Sequence, residues 1–206
     1  MPPWVAAPAG PADQRAVASA RADLSRLIRY DDESIVHDKW IRQRYDCGCC
    51  LSFAPARAAV VQTAWHEAGH AVAALAVGAR FSSASIHHGR DNDGRVHGIS
   101  TAADQAFVID AAGQIAQQLR DWTSLETDAE LRAWLAVWVR DGGDAKRFRL
   151  AIRERYGRDE VGAWRYSEQL LTPLRLTIRQ VARALLVSSR HLPYAVVAAI
   201  ASDCWP

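Results

Sequence analysis

Residues 56–78 read ARAAVVQTAWHEAGHAVAALAVG, and their periodicity decides the fold. Val61, Ala64, Ala68, Val72 and Leu75 recur at helical spacing, so the stretch is a helix with an apolar stripe turned into a core. Gly78, the residue type that best closes a helix, follows it. Inside the helix, His66-Glu67-Ala68-Gly69-His70 spells H-E-x-x-H. Side chains one turn apart stack on one face, so the His66 and His70 imidazoles can converge on a single metal ion. Glu67 lies about 100° further round the helix, near enough to act as a base on a water at that ion. Two imidazoles and a carboxylate suit zinc (Zn2+), and a catalytic zinc needs three protein ligands and an open position. A surface helix that merely carries these residues would lack the apolar stripe. Histidines on a packed helix need partners, and a metal supplies them. Gly69 costs the helix about 1 kcal/mol relative to alanine, so another element is expected to pass close to it.

Working outward, residues 13–30 read as a helix with Val17, Ala20, Leu24, Leu27 and Ile28 on one face. After Gly78, Phe81–His87 alternates like a strand, Gly89–Gly94 is turn-rich, and Arg95–Ser100 reads as a second short strand. The remainder is helical: Thr101 with Asp104 opens a helix to about Arg120, and Thr127-Asp128-Ala129-Glu130 is a capping box for a helix to Arg140. Trp134 and Trp138, one turn apart, are expected to pack inward. Gly142-Gly143 breaks that helix, and another runs from Asp144 to Tyr156. Thr172-Pro173 reads as an N-cap with proline at the first position of a helix to Arg190, and a last helix covers Pro193–Ser202. The fold class is mainly α (α+β), with residues 1–55 as an N-terminal extension and 56–206 as one domain.

The chain has 206 residues, half of them hydrophobic, and a net charge of +2, too balanced to make nucleic acid or an acidic membrane the main partner. Its longest apolar run, Ala71–Ala79, is far below the roughly 18 residues of a membrane span. The prolines and missing basic stretch of MPPWVAAPAGPADQR do not read as a signal peptide. Three of the four cysteines, Cys47, Cys49 and Cys50, are clustered, a poor disulfide framework, so the expected compartment is the reducing cytoplasm. A second zinc on the C-x-x-C pair would draw on His37 and Cys204. As a thiolate plug on the first site, the cluster would make residues 1–55 a pro-segment or lid. Neither Lys39 nor Lys146 lies in a G-x-x-x-x-G-K-[ST] loop, so this sequence carries no phosphate-loop ATPase.

The third ligand decides the class. Ala73 and Ala76 stand where the extended H-E-x-x-H-x-x-G-x-x-H form needs Gly and His, which excludes that form. No Glu lies between Glu67 and Glu126, leaving an aspartate. Asp144, following the glycine pair at the start of a helix, is either an N-cap or the ligand, or both.

At this point the chain resembles the peptidase domain of the FtsH-type membrane AAA+ proteases. Ala64–Ala71, Gly78 and the Ser83–Ile86 strand carry the likeness. It continues through Gly113-Gln114-Ile115-Ala116-Gln117-Gln118, Gly142–Arg147, Tyr156-Gly157 and Thr172–Ser202. The resemblance implies a helical, zincin-like zinc metalloendopeptidase domain with His66, His70 and Asp144 as ligands and Glu67 as the catalytic base. Arg95, Val96, His97, Gly98 and Ile99 form the expected edge strand for an extended polypeptide substrate, which pairs through backbone hydrogen bonds. His97 is weighed there as an oxyanion aid against an ordinary strand residue. A homo-oligomer or a separate unfoldase is the further partner expected, the peptidase working without an ATPase of its own. Gln117 and Gln118 replace the family's paired glutamates, Gly143 replaces its Asn, and Leu125–Arg140 looks like an insertion. The two glutamines and the missing ATPase motivate an alternative: an inactive interaction or regulatory module of the same fold.

Overall fold

The structure is a computed structural model and describes residues 10–27, 32, 54–86, 94–123, 125–138, 143–155, 157, 159–187 and 191–205. The cysteine cluster 47–50, His37 and the loop over 89–93 lie outside the described residues. The chain is mainly helical with a small three-stranded antiparallel sheet, as the periodicity implied.

The motif helix, α2 (Ala54–Ala76), is the centre of the core; α1 (Pro11–Arg26) precedes it. Val61, Ala64, Trp65, Ala68 and Ala71 through Leu75 are all buried, so α2 is covered on nearly every side. Its small side chains let neighbours come close. α3 (Ala106–Asp121) crosses it at Gly69, where an added Cβ would lie 2.4 Å from the Ala112 carbonyl oxygen and 2.6 Å from the Ala116 Cβ. That crossing is the second element the mid-helix glycine called for. A 3-10 turn at Ala103–Gln105 leads into α3 where the sequence suggested an α-helix from Thr101.

On the far side of α2 packs α7 (Arg175–Val187), with Thr177, Ile178 and every residue from Val181 to Val187 buried. α1 lies against α7 and α8 (Tyr194–Cys204), buries Ala20 and is held by the Arg21–Asp203 pair at 2.7 Å. Asp32 accepts from the Trp65 indole at 3.0 Å and from the Arg183 guanidinium at 2.8 Å. This carboxylate therefore joins the N-terminal region to both α2 and α7. α2 itself starts at Ala54, so the helix runs across the division expected at residue 55.

α4 (Asp128–Trp138) begins in a reciprocal capping box: the Thr127 amide donates to Glu130 at 3.0 Å and the Glu130 amide to Thr127 Oγ1 at 3.2 Å. Trp134 and Trp138 stack at 5.5 Å and Trp138 meets Trp164 edge-on at 5.3 Å, so both pack inward as expected. Trp164 belongs to α6 (Glu160–Leu171), a helix not anticipated from the sequence; it follows α5 (Gly143–Arg155) and is capped by Asp159 accepting from the Gly162 amide at 2.9 Å. Thr172 does not cap forward. Its hydroxyl donates back to the Glu168 carbonyl at 2.7 Å, a 3-10 turn spans Thr172–Leu174, and α7 starts at Arg175, two residues after the expected first position Pro173. An ST-type back-bond of this kind competes with N-capping for the same hydroxyl.

The sheet runs β2-β1-β3, with β1 (Ser83–Ile86) in the middle, β2 (Gly94–His97) on one side and β3 (His191–Pro193) on the other. β2 pairs Ser83 with His97 and Ser85 with Arg95, and its other edge is open among the described residues. The strand expected through Ser100 ends at His97, because Gly98 turns the chain with φ +65. β3, too short and proline-bearing to read as a strand, completes the sheet. Among the described residues, no helix is long and apolar enough to cross a membrane.

Candidate metal centre

α2 delivers His66, Glu67 and His70 to one side of the core, and the first turn of α5 delivers Asp144 to the same point. His66 Nε2 lies 3.0 Å from Asp144 Oδ2, His70 Nε2 lies 3.2 Å from it, and the two Nε2 atoms are 3.0 Å apart. Among the described residues these three side chains are the group that could hold a metal ion. Asp144 turns Oδ2 to the imidazoles and gives Oδ1 to Arg147. Oδ2 thus lies where a ligand to an ion shared with the two imidazoles would lie.

Each ligand is braced by the buried face of α3. His70 Nδ1 donates to the Ile109 carbonyl at 2.6 Å. This bond places the proton on Nδ1 and leaves the Nε2 lone pair aimed at the centre, the usual arrangement of a metal-ligating histidine. The His66 ring lies flat on Gly113, where an added Cβ would be 2.4–2.6 Å from three ring atoms. The Arg147 Nε donates to Asp110 Oδ1 at 2.9 Å while its other arm reaches Asp144 Oδ1. Ile109, Asp110 and Arg147 were not singled out from the sequence. A lone acid within the apolar run Phe107-Val108-Ile109-Asp110-Ala111-Ala112 was the signal for Asp110, and an arginine one turn after Asp144 was the signal for Arg147.

Charge is concentrated here in a dry place. Burial works against an ionised Asp144, yet hydrogen bonds from both imidazoles hold its carboxyl well below the usual carboxylate range. Burial likewise disfavours a charged His70, but the Asp144 bond and charge, Glu67 and the Ile109 carbonyl together raise it to about 9. Glu67 is pushed up by burial, against the pull of the two histidines and Arg95. Asp110 is also pushed up by burial, with Arg147 opposing. Two imidazoles and a carboxylate that converge this tightly call for positive charge between them, as protons or as a cation.

The centre opens into a cleft of about 400 Å³. Glu67 lines it beside the ligands, covered by β2: an added Cβ at Gly94 would lie 2.4–2.8 Å from the Glu67 side chain. Of the expected substrate strand, Arg95, Val96 and Ile99 line the cleft. His97 and Gly98 are not part of that lining; the His97 Nε2 is 3.0 Å from Ser85 Oγ on the neighbouring strand, which suits the ordinary strand residue better than the oxyanion aid. Gln117 reaches the Gln62 carbonyl at 3.5 Å, and neither Gln117 nor Gln118 lines the cleft. Cys204 is a half-buried free thiol outside any metal-ligating group of the described residues. Set against models of known protein families, against curated proteins and against solved structures, the chain matches none.

Proposed function

We propose that the chain is a zinc-dependent endopeptidase that hydrolyses extended or unfolded polypeptide, with His66, His70 and Asp144 as the metal ligands and Glu67 as the general base. The observation that carries this reading is the triangle of ligand atoms, 3.0–3.2 Å on a side, with the Glu67 carboxylate in the same cleft. Bond lengths of about 2.0–2.2 Å in a tetrahedral zinc site space the ligand atoms by about 3.3–3.6 Å, so the donor set fits in chemistry and needs to open by only a few tenths of an ångström. A zinc ion bound there would acidify water and polarise the scissile carbonyl.

The protein's own groups supply the rest. Glu67 takes a proton from the attacking water as its oxygen adds to the carbonyl carbon, then passes that proton to the departing amine nitrogen as the C–N bond breaks. Burial, by raising the Glu67 pKa, makes the carboxylate a stronger base and suits it to hold the proton between the two steps. The open edge of β2 beside the cleft supports recognition of extended chain, since a strand-like substrate can add to it by backbone hydrogen bonds. This reading is in keeping with the FtsH-type resemblance, a cytoplasmic site of action and a separate unfoldase or a homo-oligomer delivering substrate. That neither Gln117 nor Gln118 lines the cleft favours this reading over the inactive-module alternative.

The test is Glu67→Gln beside the wild type, with zinc content and casein cleavage measured on the same samples. We expect one zinc per chain in both and a loss of cleavage of about 10²–10⁴-fold in the variant. Equal cleavage by the two would remove Glu67 as the base. A zinc-loaded wild type that cleaves no unfolded substrate would leave the non-hydrolytic module as the reading.

A further inference from the structure

We infer that Arg147 is a positioning residue of the metal centre: it brackets Asp144 to the buried carboxylate of Asp110 and so holds Asp144 as a one-oxygen ligand. The inference rests on the metal-binding part of the proposed function and not on peptide hydrolysis.

Asp144 is the ligand hardest to place. His66 and His70 share one rigid helix, whereas Asp144 comes from a separate helix, α5, which packs chiefly on α3. Ala145, Phe148 and Ile152 seat α5 in the core, but they fix the helix and not the rotamer of a side chain in its first turn. Arg147 supplies that constraint. Its Nε donates to Asp110 Oδ1 at 2.9 Å and its Nη2 donates to Asp144 Oδ1. The planar fork of a guanidinium can span two carboxylates at once. Asp144 Oδ1 is thereby occupied, and Oδ2 alone faces the imidazoles, at 3.0 and 3.2 Å. A carboxylate free to offer both oxygens would take up the corner that substrate water needs.

Asp110 makes the bracket firm. Its side chain is 11% exposed, against 59% for Arg147, so the anchoring end sits inside the protein while the guanidinium crosses the rim of the cleft. An ordinary surface pair contributes little; here the carboxylate at the anchoring end is buried, and the same guanidinium also bonds Asp144.

The experiment measures zinc affinity by competition with a chromogenic chelator, using wild type, Arg147→Met, Arg147→Lys and the control Arg149→Met. Arg149, on the same helix as Arg147, pairs with Glu160 of α6, away from the centre. Partners that orient ligands are typically worth 10–100-fold in metal affinity. We expect that loss in Arg147→Met and no more than a twofold change in Arg149→Met; in excess chelator Arg149→Met should melt within a few degrees of wild type, and Arg147→Met lower but still cooperatively, because it leaves the buried Asp110 without its cation. Arg147→Lys keeps the charge but replaces the planar fork, which sets two nitrogens on two carboxylates, by one nitrogen on a flexible stem, so its affinity should stay near that of Arg147→Met. Wild-type affinity in Arg147→Met, or full recovery in Arg147→Lys, overturns the bracket while leaving the metal centre standing. A wild type that binds no zinc overturns both.

Discussion

Gly113→Ala separates the metal site from the fold. The new methyl would sit 2.4 Å from His66 Cε1, 2.5 Å from Nε2 and 2.6 Å from Nδ1. Ordinary carbon contacts are about 3.5–4.0 Å, so the ring must retreat by roughly 1 Å. Metal–ligand distances tolerate only about 0.2 Å, and His66 Nε2 is one corner of the triangle. The variant therefore loses a ligand, and zinc affinity should fall by about a hundredfold or more, equivalent to about 2.7 kcal/mol. The fold should survive. His66 is half-buried with its ring at the cleft and can swing outward, and alanine gains about 1 kcal/mol of helix propensity over glycine. Gly69→Ala is the contrast: its methyl meets the Ala112 carbonyl oxygen at 2.4 Å and the Ala116 Cβ at 2.6 Å, where only backbone movement gives relief. That variant should unfold several degrees lower even in excess chelator. The assay is zinc content after gel filtration together with thermal melts followed by circular dichroism. A Gly113→Ala protein with wild-type affinity would mean that the His66 ring need not lie where it does, and the ligand assignment would fail with it.

Without metal, the His70–Asp144 pair makes stability depend on pH. The folded pKa of His70, about 9, is above its unfolded value of about 6.5, so its contribution is fully present below about 6.5 and is lost as pH rises through 9. That is about 3 kcal/mol, or a fall of roughly 6–12 °C in melting temperature, measured in excess chelator from pH 6.5 to 9. The depressed Asp144 pKa acts from the other side, its contribution being lost as pH falls below the ordinary aspartate range. Zinc should reverse the slope between 6.5 and 9, since protons compete with the cation for the imidazoles; a chelator-treated protein whose melting is flat across that window would contradict the coupling. Glu67→Gln should melt higher than wild type in excess chelator at pH 8, because it removes a charge that burial disfavours.

What could be read from the sequence divides along a physical line. Features carried by one helix were legible: the α2 stripe, the i,i+4 histidines and the Thr127–Glu130 box follow from local helix geometry, while the cost of Gly69 signalled a crossing without naming its partner. Features that need two helices to meet were not. Nothing in the order of residues says that Asp110 faces Arg147, or that the ring of His66 needs a bare Cα at Gly113. α6 was missed because its start signals are weak: Asp159 caps it well, but Gly157 just before it and Gly162 within its first turn mask the onset. Thr172-Pro173 misled because the same pair can open a helix or close one. The hydroxyl chose the carbonyl behind it once α6 supplied one. β3 exists only because β1 offers it an edge, and three residues carry no periodicity of their own.

On the proposed reading, Glu67 is the residue that would separate a hydrolytic centre from a metal kept for shape. A structural zinc is closed by four protein ligands. The described residues supply three ligand atoms, and the centre faces a cleft bounded by an open strand edge. Beside them lies a carboxylate only 6% exposed that no hydrogen bond reaches among the described residues. Such a group lowers stability unless it is paired. At a purely structural site, an apolar or amide side chain would serve better. Desolvated, perturbed carboxylates are instead what proton transfer in a cleft requires. The two measurements on Glu67→Gln are thus linked: a variant that holds zinc, melts higher and no longer cleaves casein has exchanged function for stability at one residue. A variant that melts lower would mean that Glu67 braces the fold, and the argument for it as the base would lose its physical ground.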